Sequence, residues 1–148
     1  MMMTRSMLAL AVFAISATAQ SITIAAPTDG STVTAGQAIT VDIARPNTLS
    51  PSQEVSVAIG LLNCGKSCAG IDPSQRFGEI LFAGPYAPTQ QPSGPDHIDF
   101  YQNFTVTIPQ SFAGSQASLN VAHFNLIGAG PFPNLETKNI TLNFAAST

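Results

Sequence analysis

The sequence predicts an all-β protein, and three observations lead to that class. Short apolar segments alternate with polar residues at a period of two, and they are rich in β-branched side chains. Gly, Pro, Asn and Ser separate the segments, and no window of the mature chain repeats its apolar residues at helical spacing. Such patterning is typical of half-buried strands. Seven segments at fairly regular spacing favour a seven-stranded immunoglobulin-like or fibronectin-like β-sandwich, with a closed barrel as the alternative.

A secretion signal precedes these segments. Arg5 is its only charge, the run from Met7 to Ala17 is almost wholly apolar, and Ala17-Thr18-Ala19 has the small–x–small pattern of a signal peptidase site. The apolar run is shorter than the roughly 20 residues that a membrane-spanning helix needs. We therefore expect residues 1–19 to be a cleaved signal peptide and residues 20–148 to form one secreted domain without membrane insertion.

The composition of the mature chain excludes some classes of partner. Four isolated basic residues stand against eight acidic ones. That distribution provides no electrostatic surface for nucleic acid or anionic lipid. Surface polarity comes instead from Ser, Thr, Asn and Gln, a composition common in secreted proteins that meet carbohydrate.

The predicted strands begin at the start of the mature chain. Ile22 and Ile24 share one face of the first strand, and the turn Pro27-Thr28-Asp29-Gly30 follows it. Because apolar and polar residues alternate in the later segments as well, one face of each strand should contact a core. These six further strands are predicted at residues 39–43, 55–61, 79–82, 104–108, 116–127 and 140–144.

The segment 116–127 departs from simple alternation. Leu119 and Val121 lie on one parity, whereas Phe124 and Leu126 lie on the other. Because a shift of one residue moves side chains to the opposite face of a sheet, two structures fit. The segment is either a central strand partly buried on both faces, or a strand with a bulge near Val121-Ala122.

Two cysteines and two glycosylation motifs indicate an oxidising, extracellular compartment. Cys64 and Cys68 are close enough for one local disulfide, and their spacing matches neither a redox motif nor a metal-ligand pair. Asn103-Phe104-Thr105 and Asn139-Ile140-Thr141 are acceptor motifs for N-glycosylation. Both Asn103 and Asn139 fall on the polar parity of their strands, so we expect both to face solvent and to carry glycans.

Three aromatic residues are candidates for ligand binding. Tyr86 lies in the Pro-rich stretch 83–99, which cannot be an interior strand and which serves either as a binding loop or as a connection between sheets. Tyr101 shares the polar face of Asn103. Phe132 lies between two prolines, where it either closes one end of the domain or is presented to a partner.

The titratable residues do not form a recognisable catalytic motif. Asp96 and His97 lie in the only cluster of titratable residues. Together with His123, and with Asp72 or Glu79 as a further carboxylate, they are candidates for a metal or proton-transfer site. A polar turn before a strand is the favoured interpretation of Asp96 and His97. No Gly-x-Ser-x-Gly motif is present. We therefore expect no enzymatic activity, no metal and no cofactor.

The start of the mature chain resembles a known family. It resembles the N-terminal domain of fungal cell-wall proteins involved in β-1,6-glucan assembly and the Ser/Thr-rich anchored wall proteins related to them. Val33 and Val41 stand where that family often has Trp. The residues that carry the resemblance are Ile24, Pro27, Gly30-Ser31, Val33, Gly36 and Ile39-Thr40-Val41.

A second resemblance spans the whole mature chain and implies a fold rather than an activity. The chain resembles a group of small secreted proteins of basidiomycete, mushroom-forming fungi. This resemblance is carried by residues 44–49, 120–124 and 128–133. It implies an immunoglobulin-like sandwich and leaves the function open, because fold does not define function.

Three functions are compatible with these observations. The first is a secreted, non-enzymatic binding or structural protein at the fungal cell surface or wall, with wall polysaccharide or a cell-surface glycoprotein receptor as partner. The second is a secreted effector or immunomodulatory protein that acts on host cells. The third is a small secreted hydrolase or metal-dependent enzyme. The oligomeric state is open, because any exposed edge strand offers a route to dimers.

Overall fold

Strands make up the regular structure of this chain. The computed structural model describes residues 21–90 and 100–146. In those residues the protein has nine strands and a short 3₁₀ turn at Gln110–Phe112. The strands are β1 (Thr23–Ala26), β2 (Thr32–Val33), β3 (Ala38–Arg45), β4 (Ser52–Gly65), β5 (Glu79–Pro85), β6 (Thr89–Gln90), β7 (Phe100–Thr107), β8 (Gln116–Ile127) and β9 (Phe132–Phe144).

The strands form two sheets. The first sheet has the order β1-β3-β7-β6 and is antiparallel throughout. The second has the order β2-β9-β8-β4-β5, and it is antiparallel except where β2 runs parallel to β9. The all-β class is therefore confirmed, with two sheets.

The predicted segments overlap β1, β3, β4, β5, β7, β8 and β9, but β9 already begins at Phe132, whereas the sequence predicted a strand only over 140–144. The expected number of seven strands is wrong for the described part of the chain, because β2 and β6 add two strands of two residues each. Strands that short have no alternation to detect. β2 exists because the turn before it ties the chain to β9, where Gly30 N–H donates to Thr141 O and the Thr141 N–H donates to Asp29 Oδ1.

One hydrophobic core joins the two sheets. Val41 and Ile43 from β3 lie in the same buried cluster as Ile59 from β4 and Leu119 from β8. The contact between the sheets includes an aromatic pair, because the ring centroids of Phe82 and Phe104 are 4.8 Å apart. Burial of these aliphatic and aromatic side chains is the main stabilising contribution to such a fold.

β8 is the central strand of the second sheet. Its register with β9 is unbroken from Gln116 to Ile127, so the alternative of a bulge near Val121-Ala122 is wrong. Ser118 and Asn120 on the outer face are as buried as Leu119 on the core face. The loop before β5 covers that outer face, because Asn120 Nδ2 donates to the Phe77 carbonyl at 2.8 Å. The prediction of a central strand partly buried on both faces is confirmed.

A bulge in β4 redirects one side chain. Glu54 pairs with Asn125 of β8, and Ser56 pairs with Phe124, so Val55 is the extra residue on β4. An extra residue reverses which face the following side chains occupy. Glu54 and Val57 are three residues apart and would face opposite sides of a regular strand. Because of the bulge, Glu54 faces the core as Val57 does.

Cys64 and Cys68 close the loop at the end of β4. Their sulfur atoms are 2.14 Å apart, and the predicted disulfide is present. The Cys68 N–H donates to Gln116 Oε1 at 2.7 Å, which attaches this loop to the start of β8. Among residues 21–90 and 100–146, no helix is long and apolar enough to cross a membrane.

Candidate functional site

A buried histidine lies between two carboxylates at one end of the core. His123 on β8 is fully buried. Its Nε2 atom is 2.5 Å from Glu54 Oε2, and its Nδ1 atom is 2.9 Å from Glu136 Oε1. A carboxylate only accepts hydrogen bonds, so the imidazole satisfies both partners when both ring nitrogens carry a proton. The arrangement therefore favours the imidazolium form of His123 between two ionised glutamates.

Strand register brings these three residues together. His123 and Glu136 are directly opposite each other on β8 and β9, where cross-strand side chains are close. Glu54 comes from β4 and faces inward only because of the Val55 bulge. We name Glu54, His123 and Glu136 the buried triad.

Further groups attach the buried triad to both sheets. The Ser21 hydroxyl donates to Glu136 Oε2 at 2.7 Å, and the Ile22 N–H donates to Glu136 Oε1 at 2.9 Å. Arg45, at the end of β3, places its Nε atom 3.5 Å from Glu54 Oε1. Because Arg45 and the segment before β1 belong to the first sheet, the triad links the first sheet to the second.

Opposing effects set the protonation of the triad. Burial alone lowers the pKa of His123, but the hydrogen bonds and charges of Glu136 and Glu54 raise it, and the pKa lies above its ordinary value of 6.5. Burial alone raises the pKa of Glu54 and Glu136. Hydrogen bonds and charge from His123 oppose this effect at both carboxyls. Arg45 and Ser52 also oppose it at Glu54, and Ser21 and Ile22 also oppose it at Glu136. The pKa of each carboxyl therefore lies below its ordinary value of 4.5. With Arg45, the cluster holds two positive and two negative charges.

His123 is enclosed within the buried triad, whereas the side chains of Glu54 and Glu136 remain 9% and 17% exposed. Both nitrogens of His123 are occupied, and the ring edge of Tyr86 packs on it with 5.2 Å between centroids. In the part of the chain that the structure describes, no cluster of three or more His, Cys, Asp or Glu side chains is suited to hold a metal. His123 therefore bridges β4, β8 and β9 through its two ring nitrogens.

The other residues singled out from the sequence lie apart from one another. Tyr86 is only 2% exposed and donates its hydroxyl proton to the Ile43 carbonyl at 3.0 Å, so its ring belongs to the core and presents no face to a ligand. Burial also raises the pKa of Tyr86 far above its ordinary value. Tyr101 is half-buried on β7, and Phe132 is 53% exposed at the start of β9. Asp96 and His97 lie outside the described residues.

The two glycosylation motifs face outward. Asn103 and Asn139 are both exposed, as their parity predicts. Asn139 Nδ2 also donates to Ser118 Oγ at 3.2 Å. A glycosylated asparagine keeps one amide hydrogen, so this bond is compatible with a glycan at Asn139.

The exposed face of the second sheet carries an apolar surface that we name the outer patch, formed by Phe124, Leu126, Pro133 and Leu135. Phe124 pairs with Leu135, and Leu126 pairs with Pro133, on alternate rungs near the β8–β9 turn. Leu135 is 70% exposed and Pro133 is exposed, while Phe124 and Leu126 are half-buried. The parity break at Phe124 and Leu126 was the sequence signal for this surface, but Leu135 precedes the predicted segment 140–144 and has no such signal.

The outer patch belongs to a face without charged side chains at the outward positions of β8 and β9. Beyond the patch these positions hold Ala122 and a series of Gln, Ser, Asn and Thr side chains. Beside Leu126 lies a shallow pocket of about 250 Å³, whose walls include Pro51, Gln53 and Pro131. The arrangement provides an apolar surface with an adjacent recess and an uncharged polar margin.

The fold and the site together describe a disulfide-containing, two-sheet protein with a closed ionic cluster inside and an apolar patch outside. The model of the Nis1 family matches residues 17–143. The chain belongs to that family. Among curated proteins, the comparison found no match.

Proposed function

We propose that this chain is a secreted, non-enzymatic binding protein that docks onto another protein through the outer patch. The observation that carries the proposal is the exposure of Leu135 beside Phe124, Leu126 and Pro133. Contiguous apolar surface on a soluble protein usually marks an interaction site, and depletion of charge is the compositional mark of the centre of protein–protein interfaces. This function is that of a secreted effector or immunomodulatory protein acting on host cells.

The non-enzymatic part of the proposal is supported by the buried triad. It contains the only described histidine, and both nitrogens of that histidine are bound to carboxylates inside the core. General acid–base catalysis needs a group within hydrogen-bond reach of the substrate. His123 has no such position available.

A second candidate, binding to fungal wall polysaccharide, is favoured by a different observation. The outward positions of β8 and β9 beyond the patch are rich in hydroxyl and amide groups and carry no charge, which suits a neutral glycan, but a glycan attached to Asn139 would cover part of this face. The resemblance to wall proteins supports the same candidate. Against it, sugars stack on exposed aromatic rings, whereas the ring of Tyr86 is buried and the most exposed residue of the patch is a leucine.

The remaining features of the proposal concern fold type, secretion and modification. The immunoglobulin-like type of sandwich is supported by two sheets that share one core. Secretion and cleavage after residue 19 are supported by the Cys64–Cys68 disulfide, since disulfides persist in oxidising compartments. Occupied glycosylation at Asn103 and Asn139 is supported by their exposure.

A binding experiment with two matched variants distinguishes the two candidates. The labelled mature protein would be incubated with plant and animal cells, before and after protease treatment of their surfaces, and with insoluble fungal wall, β-glucan and chitin. We expect saturable, protease-sensitive binding to cells. Leu135→Ser should weaken it by about tenfold or more, as expected for the loss of a buried leucine.

Ile80→Ser is the control for that experiment. Ile80 is 55% exposed, but it lies on β5, which β4 separates from the outer patch. Binding by Ile80→Ser should match the wild type. Retention on wall material that soluble glucan fragments release would instead overturn the protein-binding proposal and support the polysaccharide candidate.

A further inference from the structure

The buried triad lies directly beneath the outer patch. His123 and Glu136 form one rung of the β8–β9 ladder and face the core, while Phe124 and Leu135 form the next rung and face outward. Successive residues of a strand point to opposite faces. Any change in the spacing of His123 and Glu136 therefore moves the backbone that carries the patch.

The charged and titratable groups around His123 come from several elements. Glu54 approaches from β4 and Glu136 from β9, and Arg45 of β3 reaches the cluster through Glu54. The ring of Tyr86, which follows β5, covers the histidine. Asp42 of β3 is the other described carboxylate near this end, where its charge acts on Tyr86 and its own pKa is raised by burial. His123 is the member of this group whose ordinary pKa is nearest to neutral, and its partners Glu136 and Glu54 raise that pKa.

We propose that protonation of His123 regulates the outer patch, so that the patch holds its protein partner in mildly acidic surroundings and releases it as the pH rises. This inference rests on the proposed function, because it concerns the same surface. Its geometric basis is the shared β8–β9 ladder and the position of His123 between two carboxylates that belong to different strands.

The chemistry of the imidazole determines the direction of the effect. The protonated ring donates to Glu54 and to Glu136 at the same time. The neutral ring has one N–H and one lone pair, so one carboxylate loses its hydrogen bond from His123 and faces a lone pair instead. It keeps only its other partners, Ser52 and Arg45 at Glu54 or Ser21 and Ile22 at Glu136. Glu54 and Glu136 then have only Arg45 as a positively charged partner, which leaves one negative charge of the cluster unbalanced. Repulsion between that carboxylate and the lone pair favours a wider separation of β8 from β4 at the bulge or from β9 at its start.

The first readout needs no partner. Methyl NMR spectra of Leu126 and Leu135 in the isolated protein would be followed from about pH 5.5 to about pH 9, on both sides of the ordinary range of histidine. We expect both patch methyl groups to shift with one midpoint, and that midpoint should coincide with the titration of the His123 ring. Patch signals that stay constant while His123 titrates would overturn the inference and leave the proposed function intact.

Two substitutions connect the midpoint to the triad. Glu54→Gln removes one negative partner and should lower the midpoint by about one to three pH units. His123→Gln should abolish the shift. Glu79→Gln is the control, since Glu79 is exposed on β5 and away from the triad, and it should leave the midpoint unchanged. If Glu54→Gln leaves the midpoint unchanged, the mechanism is contradicted, even if His123→Gln does not fold.

The second readout is binding to the protease-sensitive cell surface at about pH 5.5 and at about pH 9, the two ends of that titration. We expect wild-type affinity to fall by about tenfold at the higher pH, the size of one charged hydrogen bond, and we expect Glu54→Gln to lose affinity at a lower pH than the wild type. Equal binding at both pH values would overturn the regulation while the binding function stands. No binding at either pH would overturn both.

Discussion

His123 determines the local consequences of substitution at this end of the core, because it connects three strands through two hydrogen bonds. Removing one member of a buried charged group costs far more than the group contributes as a whole, since the remaining charge stays unpaired. Substitution of His123 thus leaves Glu54 and Glu136 as two carboxylates with Arg45 as their only charged partner in the cluster.

The first prediction concerns stability as a function of pH. The pKa of His123 is raised in the folded state, so its contribution is complete below 6.5 and is lost as the pH rises through the folded pKa. The pKa values of Glu54 and Glu136 are lowered, so their contribution is complete above 4.5 and is lost as the pH falls through the folded values. We expect the highest free energy of unfolding between about 4.5 and 6.5, measured by urea denaturation.

A substitution checks that assignment. His123→Gln should lower the free energy of unfolding by about 3–5 kcal/mol within that range and should remove the decline on the alkaline side. An alkaline decline of unchanged size in His123→Gln would show that another group causes it.

The second prediction concerns Gly78, which precedes β5. Its φ is +89°, and a Cβ atom there would overlap the carbonyl of Leu61 on β4. We expect Gly78→Ala to destabilise the protein by about 2 kcal/mol or more, because left-handed backbone and a steric clash add. Gly130→Ala is the matched control, since a Cβ atom at Gly130 meets nothing within 4 Å. Equal thermal denaturation midpoints for the two variants would contradict the close approach of this loop to β4.

At the scale of elements, the regular strands were predictable and their irregularities were not. Alternation located at least part of each of the seven longer strands, and the parity break in 116–127 left two structures open, of which the central strand is the one observed. The bulge at Val55 leaves no trace in the sequence, because Glu54 continues the polar parity of the residues that follow it. The buried triad was missed for that reason: its geometry depends on the bulge and on the registers of β4, β8 and β9 together.

The exposure of individual side chains could not be predicted from the sequence either. Tyr86 lies in a Pro-rich stretch that predicted an exposed loop, but the chain turns inward after β5 and the hydroxyl reaches Ile43 on the opposite sheet. Leu135 shows the reverse case. A leucine at an outward position is recognisable as part of a patch only when its cross-strand partner Phe124 is known.

The third prediction concerns the loop at the end of β4. The disulfide closes a ring of about five residues, and the chain-entropy relation assigns such a ring about 2 kcal/mol. Replacing Cys64 and Cys68 together by serine should therefore lower the free energy of unfolding by about that amount in chemical denaturation. Loss of folding in the double variant would contradict this, because neither cysteine belongs to the hydrophobic cluster that joins the two sheets.

At the scale of the whole molecule, polar and apolar groups are placed unusually for a two-sheet protein. An ionic cluster lies inside one end, while an apolar patch and an uncharged face lie outside it. Association at such a face gains no electrostatic steering, so recognition there depends on shape and apolar contact.

The pairing of β2 with β9 has a consequence for biosynthesis. Thr32 lies beside Asn143, so a strand made early in translation completes its sheet only with one made at the end. Because this pairing joins residues far apart in the sequence, the second sheet cannot be completed while the chain is still being synthesised. The second sheet stays incomplete until β9 has emerged, so its apolar side chains are less protected until then. The yield of this protein in a cell should therefore depend on how well chaperones hold the unfinished chain.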